Sequence, residues 1–232
     1  MPEFLEFAEA KKDYEAVILH YINEKDIKEA IRKLHEYTTK NDGKLNDLYY
    51  IFTKYSHIFM KNEPELTIEL LLKNFKNNID PNKIISAIMN TEVEKREKVS
   101  DYLEDLIKDS KIKDKNIHNL FIFFLSQNNT QNSEAKLLGY LQEKYLVKHG
   151  KNEGVKVYFD IDYAVKIFSQ FKIFSAQAFA LAIMGKFEEG VKVAIENNLF
   201  NIAKTIASNV DDMKVKKKVW LEVRIIYRII ND

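Results

Sequence analysis

The chain has 232 residues, of which 46% are hydrophobic and 31% are charged, and it contains no cysteine. This apolar fraction is sufficient for a folded core and excludes general disorder, while the absence of cysteine excludes disulfides, thiolate catalysis and cysteine-bound zinc. Lys and Arg number 36 against 35 Asp and Glu, so the net charge of +1 provides no overall field that would attract nucleic acid or an acidic membrane.

Hydrophobic periodicity predicts α-helix along nearly the whole chain, and the small numbers of glycines and prolines, 6 and 3, argue against an all-β fold with many tight turns. Within residues 13–23, Tyr14, Val17 and Tyr21 lie on one helical face, and a similar stripe runs from Ile27 to Leu34. Further helices are predicted over residues 45–59, 65–75, 84–89, 93–108, 115–126, 133–147, 161–170, 173–184, 187–197, 199–208 and 213–230.

A weak internal repeat joins some of these helices. A polar turn, an apolar residue, acids in the first helical turn and a small residue recur in Lys12–Val17, Lys25–Ile31 and Gly185–Val191. The acids suit the positive end of a helix, and the small residue lets a neighbouring helix approach closely. We therefore predict an all-α fold in which residues 1–232 form a single α-solenoid of stacked helical hairpins. A compact bundle is the alternative, although about fourteen helices in series is many for one bundle.

No segment resembles a targeting signal or a membrane span. Residues Met1–Glu6 are acidic where a signal peptide would be basic. The most apolar stretches, Leu120–Leu125 and Ala178–Met184, are far shorter than the roughly 20 residues of a membrane helix. We predict a soluble protein with no direct membrane insertion.

Aspartates stand at the start of two predicted helices. Asp80 precedes Pro81 and is expected as an N-cap. Asp160 and Asp162 could in principle be metal ligands or acid–base groups, but their position at a helix start favours capping and interaction with the helix dipole. We therefore predict no catalytic, cofactor-binding or metal-ligating residues, no cofactor and no enzymatic activity.

The histidines and glycines carry no motif of their own. The five histidines are His20, His35, His57, His118 and His149. No two of them have the spacing of metal ligands. His118 lies in an apolar helix and is expected in the core. Gly185 and Gly190 have the spacing of a phosphate-binding loop, but Val191 stands where that motif has Lys.

Two local clusters have alternative interpretations. A cluster of lysines precedes Trp220; it consists of Lys214, Lys216, Lys217 and Lys218. This pattern could indicate a basic patch that binds nucleic acid, with the Trp220 ring contacting the bases. A solvated face of an amphipathic helix is favoured, because no second basic cluster supports nucleic acid. Trp220 and Phe187 are then expected in the core.

The apolar run Phe121–Leu125 belongs either to a central helix of the core or to a buried interface, and we favour the core.

Several short strings follow one another in a distinctive order. They are Lys12–Glu15, Ile79–Ile85 with Ala87, Ile117–Asn119, Leu137–Leu141, Tyr158–Val165, Gly185–Val191 with Ala194, and Lys217–Leu221. This ordered set, which covers nearly the whole chain, resembles the clathrin heavy-chain repeat region of the vacuolar protein sorting-associated protein 18 family. Members of that family also carry an N-terminal β-propeller and a RING-type zinc domain. Nothing here resembles propeller blades, and a chain without cysteine cannot form a RING domain.

The resemblance implies a non-catalytic scaffold segment of a HOPS- or CORVET-type tethering complex in endosome-to-lysosome or vacuole trafficking and fusion. The implied partners are other class C tethering subunits, with indirect association with Rab GTPases and SNAREs. The implied location is the cytoplasm, peripheral on late endosome, lysosome or vacuole membranes. The alternative is a helical-repeat adaptor of another coat or clathrin-type assembly. A helical-bundle enzyme is disfavoured, because no acid, base or metal set converges.

Overall fold

The computed structural model describes residues 2–40, 45–75, 78–92, 96–109, 112–128, 130–149 and 157–231. Regular structure in these ranges is entirely helical, which confirms the all-α prediction. The α-helices of the described ranges are α1 (Pro2–Ala10), α2 (Tyr14–Asn23), α3 (Ile27–Lys40), α4 (Leu45–Asn62), α5 (Pro64–Leu70), α6 (Ile85–Met89), α7 (Arg96–Asp109), α8 (Lys115–Asn128), α9 (Gln131–His149), α10 (Ile161–Gln170), α11 (Phe174–Ile183), α12 (Phe187–Glu196), α13 (Phe200–Ser208) and α14 (Met213–Asn231).

The predicted helices agree with these bounds except at three places, and the first residues of the predicted helix 93–108, residues 93–95, lie outside the described ranges. Helix α1 was not predicted, because only Ala8 of its apolar residues is fully buried and the segment shows no clean apolar stripe. The predicted helix 65–75 changes to π-helical winding at Leu71–Phe75. Asp80 is an N-cap as predicted and accepts a hydrogen bond from the Asn82 N–H at 3.0 Å, but it opens a 3₁₀ turn that precedes α6.

The chain divides into two compact units, residues 1–112 and residues 113–232. In both units, helices pack against the next helix in the chain and against the next but one. In the first unit α3 contacts α4 and α5, and in the second unit α11 contacts α12 and α13. This neighbour pattern is that of stacked hairpins and confirms the α-solenoid class. The prediction that residues 1–232 form one continuous solenoid stays a prediction.

One turn geometry recurs between the described helices. The residues with left-handed backbone, φ between 56° and 89°, are Lys12, Lys25, Lys172, Gly185 and Asn198. In each turn the residue after the left-handed one donates its N–H to the carbonyl of the residue five positions before itself, at 2.8–3.0 Å; for example, the Asp13 N–H donates to the Ala8 carbonyl. The left-handed residue itself donates to the carbonyl three residues earlier, at 3.0–3.2 Å. These are the two hydrogen bonds of the Schellman motif, which ends a helix and reverses the chain.

A regular repeat length runs through the second unit, and the left-handed turn makes three of the four connections between α10 and α14. Helices α10 to α14 begin 13 residues apart, at Ile161, Phe174, Phe187, Phe200 and Met213. The sequence repeat at residues 12–17, 25–31 and 185–191 therefore corresponds to a real structural unit. The predicted helices already break at residues 171–172 and 198, but sequence reasoning did not recognise the turns at Lys172 and Asn198 as members of the repeat, because no acid follows them in the first helical turn.

Polar side chains link helices that are next but one in the stack. In the first unit the Glu9 carboxylate accepts hydrogen bonds from Lys33 Nζ at 2.8 Å and Tyr37 Oη at 2.7 Å, which joins α1 to α3. These contacts lower the pKa of Glu9, the Lys33 hydrogen bond contributing most. Glu15 makes the equivalent pair of contacts with Lys54 and Tyr55 and joins α2 to α4. The stack is thus held by polar pairs as well as by apolar packing.

Small residues allow α11 and α12 to approach closely. Gly190 in α12 is buried, and a Cβ added there would lie 2.7 Å from the carbonyl oxygen of Ala178 in α11. Ala178, Ala182 and Ala194 are fully buried near this contact in α11 and α12. The predicted role of the small residue in the repeat is therefore confirmed at Gly190.

We expect Gly190→Ala to lower the free energy of unfolding. Because the atom met at 2.7 Å is a backbone oxygen, the clash costs about 2–3 kcal/mol, the upper part of the range for overpacking. This cost exceeds the roughly 1 kcal/mol that Ala gains over Gly in a helix. The matched control is Gly139→Ala in α9, where a Cβ meets nothing within 4 Å, and it should stabilise the protein. Urea unfolding of both variants measures the difference, and equal effects would contradict the close approach.

We expect Gly185→Ala to destabilise the protein by about 1 kcal/mol for a different reason. A Cβ at Gly185 would meet nothing within 4 Å, but the φ of +89° is unfavourable for an L side chain. Gly185→Asn should cost less, because Asn tolerates the left-handed region better than Ala. If Ala and Asn cost the same in urea unfolding, the left-handed turn is not the cause.

Candidate interaction surfaces

Asp160 caps α10 and ties it to α8. Its carboxylate accepts a hydrogen bond from the Tyr163 N–H at 3.1 Å and forms an ion pair with Lys115 Nζ at 2.7 Å. Its own N–H donates to Asn119 Oδ1 at 2.9 Å. The Lys115 contact, followed by the Tyr163 N–H, lowers the pKa of Asp160. Asp162 is exposed in the first turn of α10. The capping interpretation of Asp160 is confirmed.

Asp160 and Asp162 do not belong to a cluster of metal-ligating side chains in the described ranges. Within the described ranges, no group of three or more His, Cys, Asp or Glu side chains is arranged to hold a metal ion. The Asp160 carboxylate is already occupied by a backbone N–H and an ammonium group, which is what an N-cap at a helix start requires.

We expect Asp160→Ala to cost about 0.5–2 kcal/mol of unfolding free energy, because it removes both the cap and the ion pair. Asp162→Ala is the matched control and should change stability by less than about 0.5 kcal/mol. Chemical denaturation measures both, and equal losses would contradict the cap.

The Asp160 contribution should also depend on pH. Because its pKa is lowered in the folded state, its stabilisation is present above the unfolded pKa, near 3.8, and is lost as pH falls through the folded pKa. Asp160→Asn keeps a capping oxygen without this titration. The stability difference between Asp160→Asn and the original chain should therefore shrink as the solution is acidified from neutral pH.

Three of the described histidines, His20, His35 and His118, make contacts within the fold. His118 is 1% exposed, its Nδ1 lies 2.7 Å from Tyr140 Oη, and its ring packs against Tyr158, which confirms a satisfied core histidine. His35 Nδ1 lies 2.9 Å from Asn74 Oδ1 in the first unit. His20 packs its ring against Tyr21. His57 is exposed, and the side chain of His149 lies outside those described.

The glycine pair and the apolar run also have structural explanations. Gly185 forms the turn between α11 and α12, and Gly190 provides the helix contact, so the setting is helix–turn–helix rather than strand–loop–helix. In the apolar run, Phe121, Ile122 and Phe124 are at most 1% exposed. Phe123 is half-buried and packs against Phe171. The core interpretation of this run is confirmed.

The expectation that Trp220 and Phe187 lie in the core is wrong. Trp220 is 36% exposed and Phe187 is half-buried. The amphipathic pattern of α14 places Val219 and Val223 against the neighbouring helices, so the bulky indole lies at the edge of that face. Truncation of either residue to Ala should therefore cost less than the roughly 3–5 kcal/mol of a fully buried aromatic residue.

The lysines before Trp220 do not form one continuous patch. Lys218 forms an ion pair with Glu188 of α12 at 2.5 Å, and Lys216 Nζ donates to the Ser208 carbonyl at 2.9 Å. These two cations are used within the fold, which agrees with the helix-face interpretation. Lys217 instead lines a groove between α13 and α14 together with Trp220.

Large apolar side chains are exposed on α1 and on α14. On α1, Phe4 is 49% and Phe7 is 62% exposed, and we call this the α1 surface. On α14, Met213, Leu221 and Ile225 are 49–65% exposed, and with Trp220 they form the α14 surface. Apolar surface of this kind is typical of sites that contact other proteins.

Helical hairpins joined by a recurrent turn define an α-solenoid, a class of fold whose stacked repeats expose extended helix faces. A sequence model of the family described as "VPS18, alpha-solenoid domain, second half" matches residues 14–227. The chain belongs to this family. The resemblance found in the sequence is thereby confirmed.

Curated relatives agree with the family match. The chain is 25% identical to the vacuolar protein sorting-associated protein 18 homolog of Danio rerio and 28% identical to the vacuolar sorting protein 18 of Arabidopsis thaliana. It is 26% identical to the corresponding homolog of Drosophila melanogaster. The alignments cover 94–95% of this chain but 20–21% of each relative, so the chain spans about a fifth of their length. Within the described ranges, no helix is both long and apolar enough to cross a membrane.

Proposed function

We propose that this chain is a non-catalytic scaffold segment of a HOPS- or CORVET-type membrane-tethering complex in endosome-to-lysosome or vacuole trafficking and fusion. The observation that carries the proposal is the family match over residues 14–227, because each of the two compact units in that range consists of packed helical hairpins. A helical stack suits a scaffold, since each repeat contacts its neighbours and leaves long faces for other subunits.

The partners follow from the same proposal. The direct partners are other class C tethering subunits, while association with Rab GTPases and SNAREs is indirect. The protein acts in the cytoplasm, peripheral on the membrane of the late endosome, lysosome or vacuole. Two side chains of the types that acid–base catalysis uses are engaged in the fold instead: Asp160 caps a helix and His118 is buried against Tyr140. This use of acid and imidazole groups supports a non-enzymatic role.

The exposed apolar side chains are the first candidates for subunit contacts. Phe4 and Phe7 on the α1 surface and Leu221 on the α14 surface are each at least 49% exposed. Buried in an interface, such side chains would contribute apolar area without disturbing the core.

We expect affinity capture of the tagged chain from lysate of its source organism to recover other class C tethering subunits, as identified by mass spectrometry. The matched control carries Phe4→Asp, Phe7→Asp and Leu221→Asp, which place charges at exposed positions and leave the core unchanged. This control should recover less of the same subunits, because charged side chains oppose burial in an apolar interface.

Two results would contradict the proposal. Recovery of coat or clathrin components in place of class C subunits would favour the adaptor alternative. Failure to recover class C subunits, both from lysate and after co-expression with them, would show that this segment does not dock them.

A further inference from the structure

The groove between α13 and α14 combines an apolar floor with a positive rim. Its volume is about 640 Å³, and it is lined by Lys204, Lys217, Trp220, Leu221, Val223 and Arg224. Trp220 and Leu221 are 36% and 59% exposed, while Val223 is almost fully buried at the base. The lining contains three cationic side chains and no carboxylate.

The positive charge of this groove is local. The whole chain has a net charge of only +1. The neighbouring Lys218 is neutralised by Glu188 of α12. In the part of the chain that the structure describes, Lys217 and Arg224 have no carboxylate within ion-pair distance. Two uncompensated cations beside exposed apolar surface favour a ligand that is both acidic and apolar.

The spacing of the lining residues fits a helical ligand. Lys217, Trp220, Leu221 and Arg224 stand at i, i+3, i+4 and i+7 on one face of α14, and α13 forms the other wall. A groove between two helices with an apolar floor accepts the apolar face of an amphipathic helix. The basic rim then faces the polar flanks of that helix, which must be acidic.

We propose that the α13–α14 groove is a docking site for an acidic amphipathic helix of a partner protein. The apolar side chains of that helix cover Trp220 and Leu221, and its carboxylates pair with Lys217 and Arg224. This inference deepens the proposed function, because it gives the scaffold a docking site and its partner a defined chemistry. Nucleic acid is disfavoured as the occupant, because the groove offers one aromatic ring, Trp220, where single-strand binding stacks successive bases on several.

Trp220 is the only tryptophan in the chain, so its fluorescence reports on this groove alone. The probe is a synthetic helix of about five turns, with Leu at i, i+3, i+4 and i+7, Glu on both flanks, and neither Trp nor Tyr. We expect a saturable blue shift as the peptide removes Trp220 from water, with an affinity that falls as salt is added. A peptide with Lys in place of Glu, and one with Ala in place of Leu, should give no shift.

Charge reversal provides the matched variants. Lys217→Glu and Arg224→Glu should each weaken binding of the acidic peptide by about tenfold or more. The variant with both reversals should bind the Lys-bearing peptide instead. The control is Lys166→Glu at an exposed position of α10, which should bind the acidic peptide as the original chain does. Circular dichroism checks that each variant remains helical.

Four results would overturn the inference. They are no shift with any peptide, equal shifts with the acidic and basic peptides, a larger shift with a single-stranded oligonucleotide, and a shift with rising protein concentration that indicates a second copy in the groove. These outcomes are separate from the capture experiment. If the acidic peptide binds but no class C subunit is captured, the groove remains a docking site and the proposed tethering function is wrong. If class C subunits are captured but the peptide does not bind, the subunits contact the chain outside this groove.

Discussion

The left-handed residue in the turn between helices is the constraint on which this fold depends. Its two backbone hydrogen bonds end one helix, and the next helix begins two residues later. In the second unit the helices that these turns join, α10 to α13, begin 13 residues apart. Because the turn is defined by backbone bonds, it accepts Lys172, Gly185 or Asn198 at the same position. Regular stacking is therefore compatible with a sequence repeat that is hard to see.

The regular spacing of short helices brings neighbouring helices into close contact and places polar pairs between helices that are next but one. The contact between α11 and α12 is close enough to require Gly190, while helices next but one are joined by polar pairs such as Asp160 with Lys115 and Glu188 with Lys218. Asp160, Glu188 and His118 are thus engaged in capping, pairing and core packing. The exposed apolar side chains of α1 and α14 suit contacts with other proteins.

Much of the helical architecture could be predicted from sequence, because it depends on local rules. Periodicity located most helices, since each buries one stripe of apolar residues. The caps at Asp80 and Asp160 followed from their position before a helix, and the burial of His118 followed from its apolar surroundings. Helix α1 escaped prediction, because its aromatic side chains Phe4 and Phe7 are exposed and leave no stripe.

The sequence by itself determined the helical class, most helix positions and the family, because these depend on local periodicity and on ordered short strings. Only the tertiary structure decided which apolar and charged side chains remain exposed. Trp220 belongs to the edge of the α14 face, and whether Lys217 or Lys218 finds a carboxylate depends on a helix 30 residues away in the chain, where Glu188 lies. A local pattern predicts which face of a helix is apolar, but the edge of that face and the partner of each charge depend on the neighbouring helices.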